Sequence, residues 1–89
     1  MLAVRFELVD REHHRERFYS LALVYDAQLS LVAEPPGVVL VVTRGRLGGK
    51  AIVRRERFAS RSRALERWGE LACRRRRNGY REVNEGGRP

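Results

Sequence analysis

Residues 38–77 read VVLVVTRGRLGGKAIVRRERFASRSRALERWGELACRRRR. The hydrophobic period changes partway along this stretch, and the change sets the fold class. Val38 to Arg44 is a β-branched apolar run that reads as a central strand. Arg46 to Gly49 turns, because Gly48-Gly49 is flexible enough to reverse the chain, and Lys50 to Phe58 returns as the next strand. Ser60 then caps a helix that begins at Arg61. Ala64, Leu65, Trp68, Leu71 and Ala72 recur at helical spacing as one apolar stripe, and Arg63, Arg67, Arg74 and Arg77 are assigned to the opposite side. Glu70 is placed to pair with Arg74 four residues on. Gly69, in mid-helix, costs about 1 kcal/mol relative to alanine unless it lets the helix approach the sheet closely. Gly79 reads as the glycine beyond the helix C-terminus.

Upstream, Leu2, Val4, Phe6 and Leu8 alternate with Arg5 and Glu7, the pattern of a half-buried strand. Asp10 to Glu16 is polar and reads as a loop. A second strand starts near Arg17, with Tyr19, Leu21, Leu23 and Tyr25 on one face. Asp26-Ala27 suits a turn, Leu29 to Ala33 alternates as a third strand, and Pro36-Gly37 suits the centre of a type II turn. Tyr80 to Val83 is placed to add a short strand. Closely spaced strands joined by turns meander antiparallel. The expected architecture is therefore α+β: an antiparallel sheet of about five strands packed against one C-terminal α-helix. Residues 1–83 are expected to form a single domain and residues 84–89 a disordered tail.

The 89 residues are 43% hydrophobic and 34% charged, enough for one modest core under a strongly charged surface. The charge is segregated. Residues 1–43 hold four arginines against six acids; residues 44–81 hold Lys50 and thirteen arginines against Glu56, Glu66 and Glu70, a net +11. A bias toward arginine codons raises the arginine number without segregating it. One strongly positive side points to a polyanionic partner, and the planar guanidinium suits phosphate. The single cysteine, Cys73, excludes an internal disulfide and a cysteine metal cluster, which fits a reducing cytoplasm. The longest apolar run, Val38 to Val42, is too short to span a bilayer, and Met1 to Val9 is broken by Arg5 and Glu7, so neither a membrane span nor a signal peptide is expected.

Two places carry the functional argument. Arg44-Gly45-Arg46-Leu47-Gly48-Gly49-Lys50 runs a strand into a glycine-rich turn with three cations. Such glycines let backbone N–H groups approach an anion; equally, they serve a hairpin whose arginines are merely solvated. Arg75 falls in line with the apolar stripe and must snorkel to the rim of the sheet. Either its head group joins the turn at Arg44 to Lys50, or it is one of four helix-terminal arginines favoured by the macrodipole. Arg54 and Arg55 lie on a strand and alternate in direction, so only one of them shares a face with the turn. His13-His14 lacks acids or cysteines at ligand spacing, Cys73 has no spaced histidine as base, and no paired carboxylates stand out. No metal, cofactor or small-molecule substrate is expected, and no enzymatic activity. Trp68 reads as core rather than as a stacking platform.

The order of these residues resembles the WGR domain family. Arg17-Phe18-Tyr19 is similar to the Lys-Phe-Tyr start of that domain's second strand, and Arg44-Gly45-Arg46-Leu47-Gly48 to its signature Trp-Gly-Arg-Ile-Gly. Phe58, Ser60, Ala64, Trp68, Leu71, Arg75 and Gly79-Tyr80 are similar to its helix pattern, so the resemblance runs from about Leu2 to Val83. It implies an antiparallel sheet against one helix. It also implies a module that contacts DNA ends in poly(ADP-ribose) polymerases and recurs in small bacterial proteins. By position, Arg44 stands where the family's tryptophan packs on a terminal nucleotide; Arg46 matches the signature arginine, and Arg75 a lysine late in the helix. Arg44 is the departure: a guanidinium stacks on sugar or base and also grips phosphate. The segment between Tyr19 and Arg44 is longer than is usual for the family, and no ADP-ribosyl transferase domain is expected in so short a chain. The reading is a non-enzymatic nucleic-acid-binding module, with DNA ahead of RNA, contacting phosphates through Arg44, Gly45, Arg46, Lys50, Arg54 or Arg55, and Arg75. The rival reading is a protein-interaction module that docks on an acidic partner.

Overall fold

The computed structural model describes residues 2–25 and 37–83. Alternating apolar residues produce strands β1 (Leu2–Asp10) and β2 (Arg15–Tyr25), joined by a tight turn in which His14 N–H donates to the Arg11 carbonyl at 3.3 Å. Strand β3 (Val38–Arg46) leads through a glycine turn into β4 (Ala51–Phe58), then helix α1 (Arg61–Arg77) and the short strand β5 (Arg81–Val83). Among the described residues these strands form one antiparallel sheet in the order β4-β3-β2-β1-β5, with α1 across one face.

The register aligns one residue set across the sheet. Phe6, Tyr19 and Arg44 lie opposite one another, as do Val4, Leu21, Val42 and Arg54. Side chains alternate along a strand, so this set and its i±2 neighbours face the helix. Phe6, Leu21, Leu40 and Leu71 are the fully buried large side chains where sheet and helix meet, each stabilising the fold by about 1.5–3 kcal/mol. Trp68 packs partly buried against them, as a core residue should.

Both helix ends follow from sequence. Ser60 Oγ accepts the Arg63 N–H at 3.3 Å. At the other end Gly79 adopts φ +92°, its N–H donates to the Arg76 carbonyl at 3.2 Å, and Tyr80 N–H donates to the Arg75 carbonyl at 3.0 Å. That pair of bonds is a Schellman motif, and it turns the chain straight into β5.

The strand expected at Leu29 to Ala33 and the tail expected at 84–89 lie outside the described residues; the fifth strand of the described sheet is β5. Other expectations are corrected. Strand β3 continues past Arg44 through Gly45 to Arg46, because Gly45 stays in the ladder between Phe18 and Ala51. Leu65, at the edge of the helix stripe, is exposed. Gly69 does not permit a close approach, since a Cβ there would meet nothing within 4 Å. Glu70 pairs backward with Arg67 at 3.2 Å and not forward with Arg74.

Candidate functional site

Helix α1 crosses the sheet so that Leu40 and Val42 are buried, while Arg44, two residues further along the same face, is exposed. On β4 the same face carries Ile52, Arg54 and Glu56, because these align with Arg44, Val42 and Leu40. Arg67, Leu71, Arg74 and Arg75 come from the flank of α1. Together with Tyr19, most of these enclose a cleft of about 240 Å³ into which five arginines converge: Arg44, Arg54, Arg67, Arg74 and Arg75. Val42, Leu71 and Tyr19 are its apolar floor.

The five guanidiniums are not equivalent. Glu56 accepts from Arg67 Nε at 3.2 Å and lies 3.5 Å from Arg54 Nη2. Arg67 Nη1 also donates to Glu70 at 3.2 Å. Hydrogen bonding to Glu56 first, then to Glu70, makes Arg67 hold its proton more tightly than a free arginine does. Among the described residues Arg44, Arg74 and Arg75 have no carboxylate within ion-pair distance.

Arg75 is the most constrained of the three. Its guanidinium carbon sits 4.1 Å from the Tyr19 ring centroid and 5.6 Å from that of Tyr80. The two rings meet edge to face, 6.5 Å apart at 69°. The Schellman turn fixes Tyr80, and β2 fixes Tyr19, so both rings belong to backbone that does not need a ligand to form. Stacking holds the guanidinium plane while leaving its in-plane N–H groups for acceptors. Its Nε is shielded from solvent and donates to no acceptor among the described residues. A shielded donor without an acceptor costs about 1–3 kcal/mol, a cost the fold carries at this position.

The expected site residues separate in space. Arg44, Arg54 and Arg75 share the cleft. Arg46 instead lines a second concavity of about 310 Å³ with His14, Glu16 and Leu47. Lys50 is exposed on the β3–β4 turn, where Gly48 takes φ +77° and Gly49 N–H donates to the Arg46 carbonyl at 3.0 Å. Arg55, opposite Val41, projects from the other face of the sheet. Gly45 answers to close packing: a Cβ there would overlap the Lys50 carbonyl oxygen. The glycine-rich stretch is thus a strand end and a turn, and the cleft excludes Gly45, Arg46, Lys50 and Arg55.

The periodicity puts Arg67 and Arg74 opposite the apolar stripe, yet they line the cleft. The helical wheel holds the signal, since Arg67 lies only about 40° from Leu71 at about 100° per residue. The Tyr19–Arg75–Tyr80 stack joins β2 to the turn after α1, and no local spacing announces it. Elsewhere His13 Nδ1 lies 2.8 Å from Asp10 Oδ2, and that hydrogen bond holds the Asp10 carboxyl below its ordinary value of 3.8. Among the described residues no three of His, Cys, Asp and Glu gather at metal-binding distance, and Cys73 is exposed and unpaired. No described helix is long and apolar enough to cross a membrane.

A family model described as the WGR domain matches residues 2–87, nearly the whole chain. No curated protein and no solved structure shows a significant match to it.

Proposed function

The chain belongs to the WGR domain family, and from that premise we propose that it binds DNA through the arginine cleft between α1 and strands β3 and β4. The WGR domain is in general a nucleic-acid-binding module and not a catalytic one. The observation that carries the finer reading is the set of three arginines without carboxylate partners, Arg44, Arg74 and Arg75, around one concavity. Arg75 stands ready to donate because two rings hold it. Arg54 and Arg67 join when phosphate competes with Glu56. Arg46 and Lys50 lie along the strand end and widen the positive surface outside the cleft. The family's contact with DNA ends in polymerases puts DNA ahead of RNA.

Arg44 in place of the family tryptophan exchanges ring stacking for charge. Gripping phosphate does not require a chain end, so closed and broken duplexes are bound alike. The test is a binding panel of nicked, blunt, covalently closed and single-stranded DNA, with duplex RNA beside them. Arg44→Ala and Arg75→Ala each weaken binding to all DNA forms by about tenfold at low salt, about 1.4 kcal/mol apiece. Arg63→Ala, outside the cleft, changes little. Undiminished binding by the Arg44→Ala, Arg75→Ala double variant removes the cleft from the reading.

A further inference from the structure

We infer that the outer edge of β4 is a docking strand for an extended acidic segment of a partner protein. This surface shares Ile52 and Arg54 with the cleft, but the argument for it does not rest on DNA binding. Strand β4 is outermost in the sheet, and among the described residues nothing pairs with its free side. Six of its eight residues are exposed. The two β-branched ones are uncovered on opposite faces, Ile52 at 61% and Val53 at 47%. Each is followed on its own face by a cation: Arg54 two residues after Ile52, and Arg55 two residues after Val53. Backbone groups without a strand partner among the described residues, an apolar pair and a cation pair thus run consecutively along one edge.

An added strand satisfies all three features together. Its backbone completes the ladder, two apolar residues cover Ile52 and Val53, and two carboxylates meet Arg54 and Arg55. Antiparallel to β4 the partner reads acid, acid, apolar, apolar; parallel, it reads the reverse. A second copy of this chain is the poorer occupant, since each edge sets Arg54 and Arg55 against Glu56 and two such edges repel. A phosphate backbone neither pairs with a strand edge nor covers Ile52 and Val53.

The experiment uses the whole chain and two short synthetic peptides of identical composition. One carries two adjacent acids followed by two valines; the other alternates them. The ordered peptide binds at least about tenfold more tightly than the alternating one and slows hydrogen exchange at the β4 amides. Arg55→Glu, checked for folding by its amide spectrum, lowers that binding by about tenfold. It leaves duplex DNA affinity within about twofold, because Arg55 is across the sheet from the cleft. Equal binding of the two peptides reduces the effect to bulk charge and overturns the inference. It is also overturned if duplex DNA alone slows exchange at the β4 amides as much as the ordered peptide does. Protection without peptide, together with a dimer in sedimentation, assigns the edge to a second copy instead.

Discussion

A guanidinium held between Tyr19 and Tyr80 has given up most of its rotamer freedom before any ligand arrives. Lysine at this position keeps the charge but loses the stack and the flat array of donors. Arg75→Lys should therefore weaken DNA binding by about tenfold, whereas Arg77→Lys on the exposed helix end should be silent in the same titration. Glu56 acts in the opposite sense. It holds Arg67 and Arg54 in the empty cleft, so a phosphate must displace it. Glu56→Gln should raise affinity about fivefold at low salt, about 1 kcal/mol, and a fall would mean that Glu56 chiefly positions the two arginines. Asp10 offers a test unrelated to binding. Its carboxyl, held by His13, should titrate below 3.8 by NMR and return to about that value in His13→Ala. The folded value is depressed, so this exposed pair's small contribution is present above the ordinary aspartate range. It is lost as pH falls through the depressed value.

At the scale of elements, two glycines in and after α1 have opposite meanings. Gly69 is exposed in mid-helix with open space at its missing Cβ, so Gly69→Ala should stabilise the protein by about 1 kcal/mol and raise Tm. Gly79 sits at φ +92° with Leu8 Cδ1 3.6 Å from where a Cβ would be, so Gly79→Ala should destabilise by about 1–2 kcal/mol. Gly79→Ala should also weaken DNA binding beyond its effect on stability, because the turn it makes carries Tyr80 onto Arg75. Thermal melts and a titration of each variant check both. The elements themselves were largely legible. Period-two alternation marked β1 and β2, the β-branched run marked β3, Ser60 fixed the start of α1 at Arg61, and Gly79 marked where it had to end. The glycine-rich stretch was less legible. Gly45 promises an anion cradle by composition, but only the ladder to Phe18 and Ala51 reveals that it continues a strand. The cleft was half legible for a related reason. A helical wheel places Arg67 and Arg74 beside Leu71, yet which flank faces β4 depends on how the helix crosses the sheet.

For the molecule as a whole, the segregation of charge along the sequence becomes a division in space. Of the +11 of residues 44–81, all but Lys50 on the adjoining turn and Arg81 on β5 resides on the end of β3, on β4 and on α1, while β1 and β2 carry most of the described acids outside that region. DNA approaching that side meets guanidiniums before it meets shape, so counterion release should dominate affinity. The three cleft arginines without carboxylate partners set a lower bound, and Arg54 and Arg67 an upper one. Log Kd against log salt should accordingly rise with a slope between about 2.7 and 4.5 on duplex DNA, at about 0.9 per phosphate neutralised. Removing Arg44 and Arg75 together should cut that slope by about two, and Glu56→Gln should steepen it by about one. The second change separates a real competition in the cleft from a general rise in charge. Substituting Glu16, on the far concavity with Arg46, by glutamine adds the same net charge and should leave the slope nearly unaltered. If both glutamine variants steepen it equally, DNA is sensing the whole positive side and not the cleft.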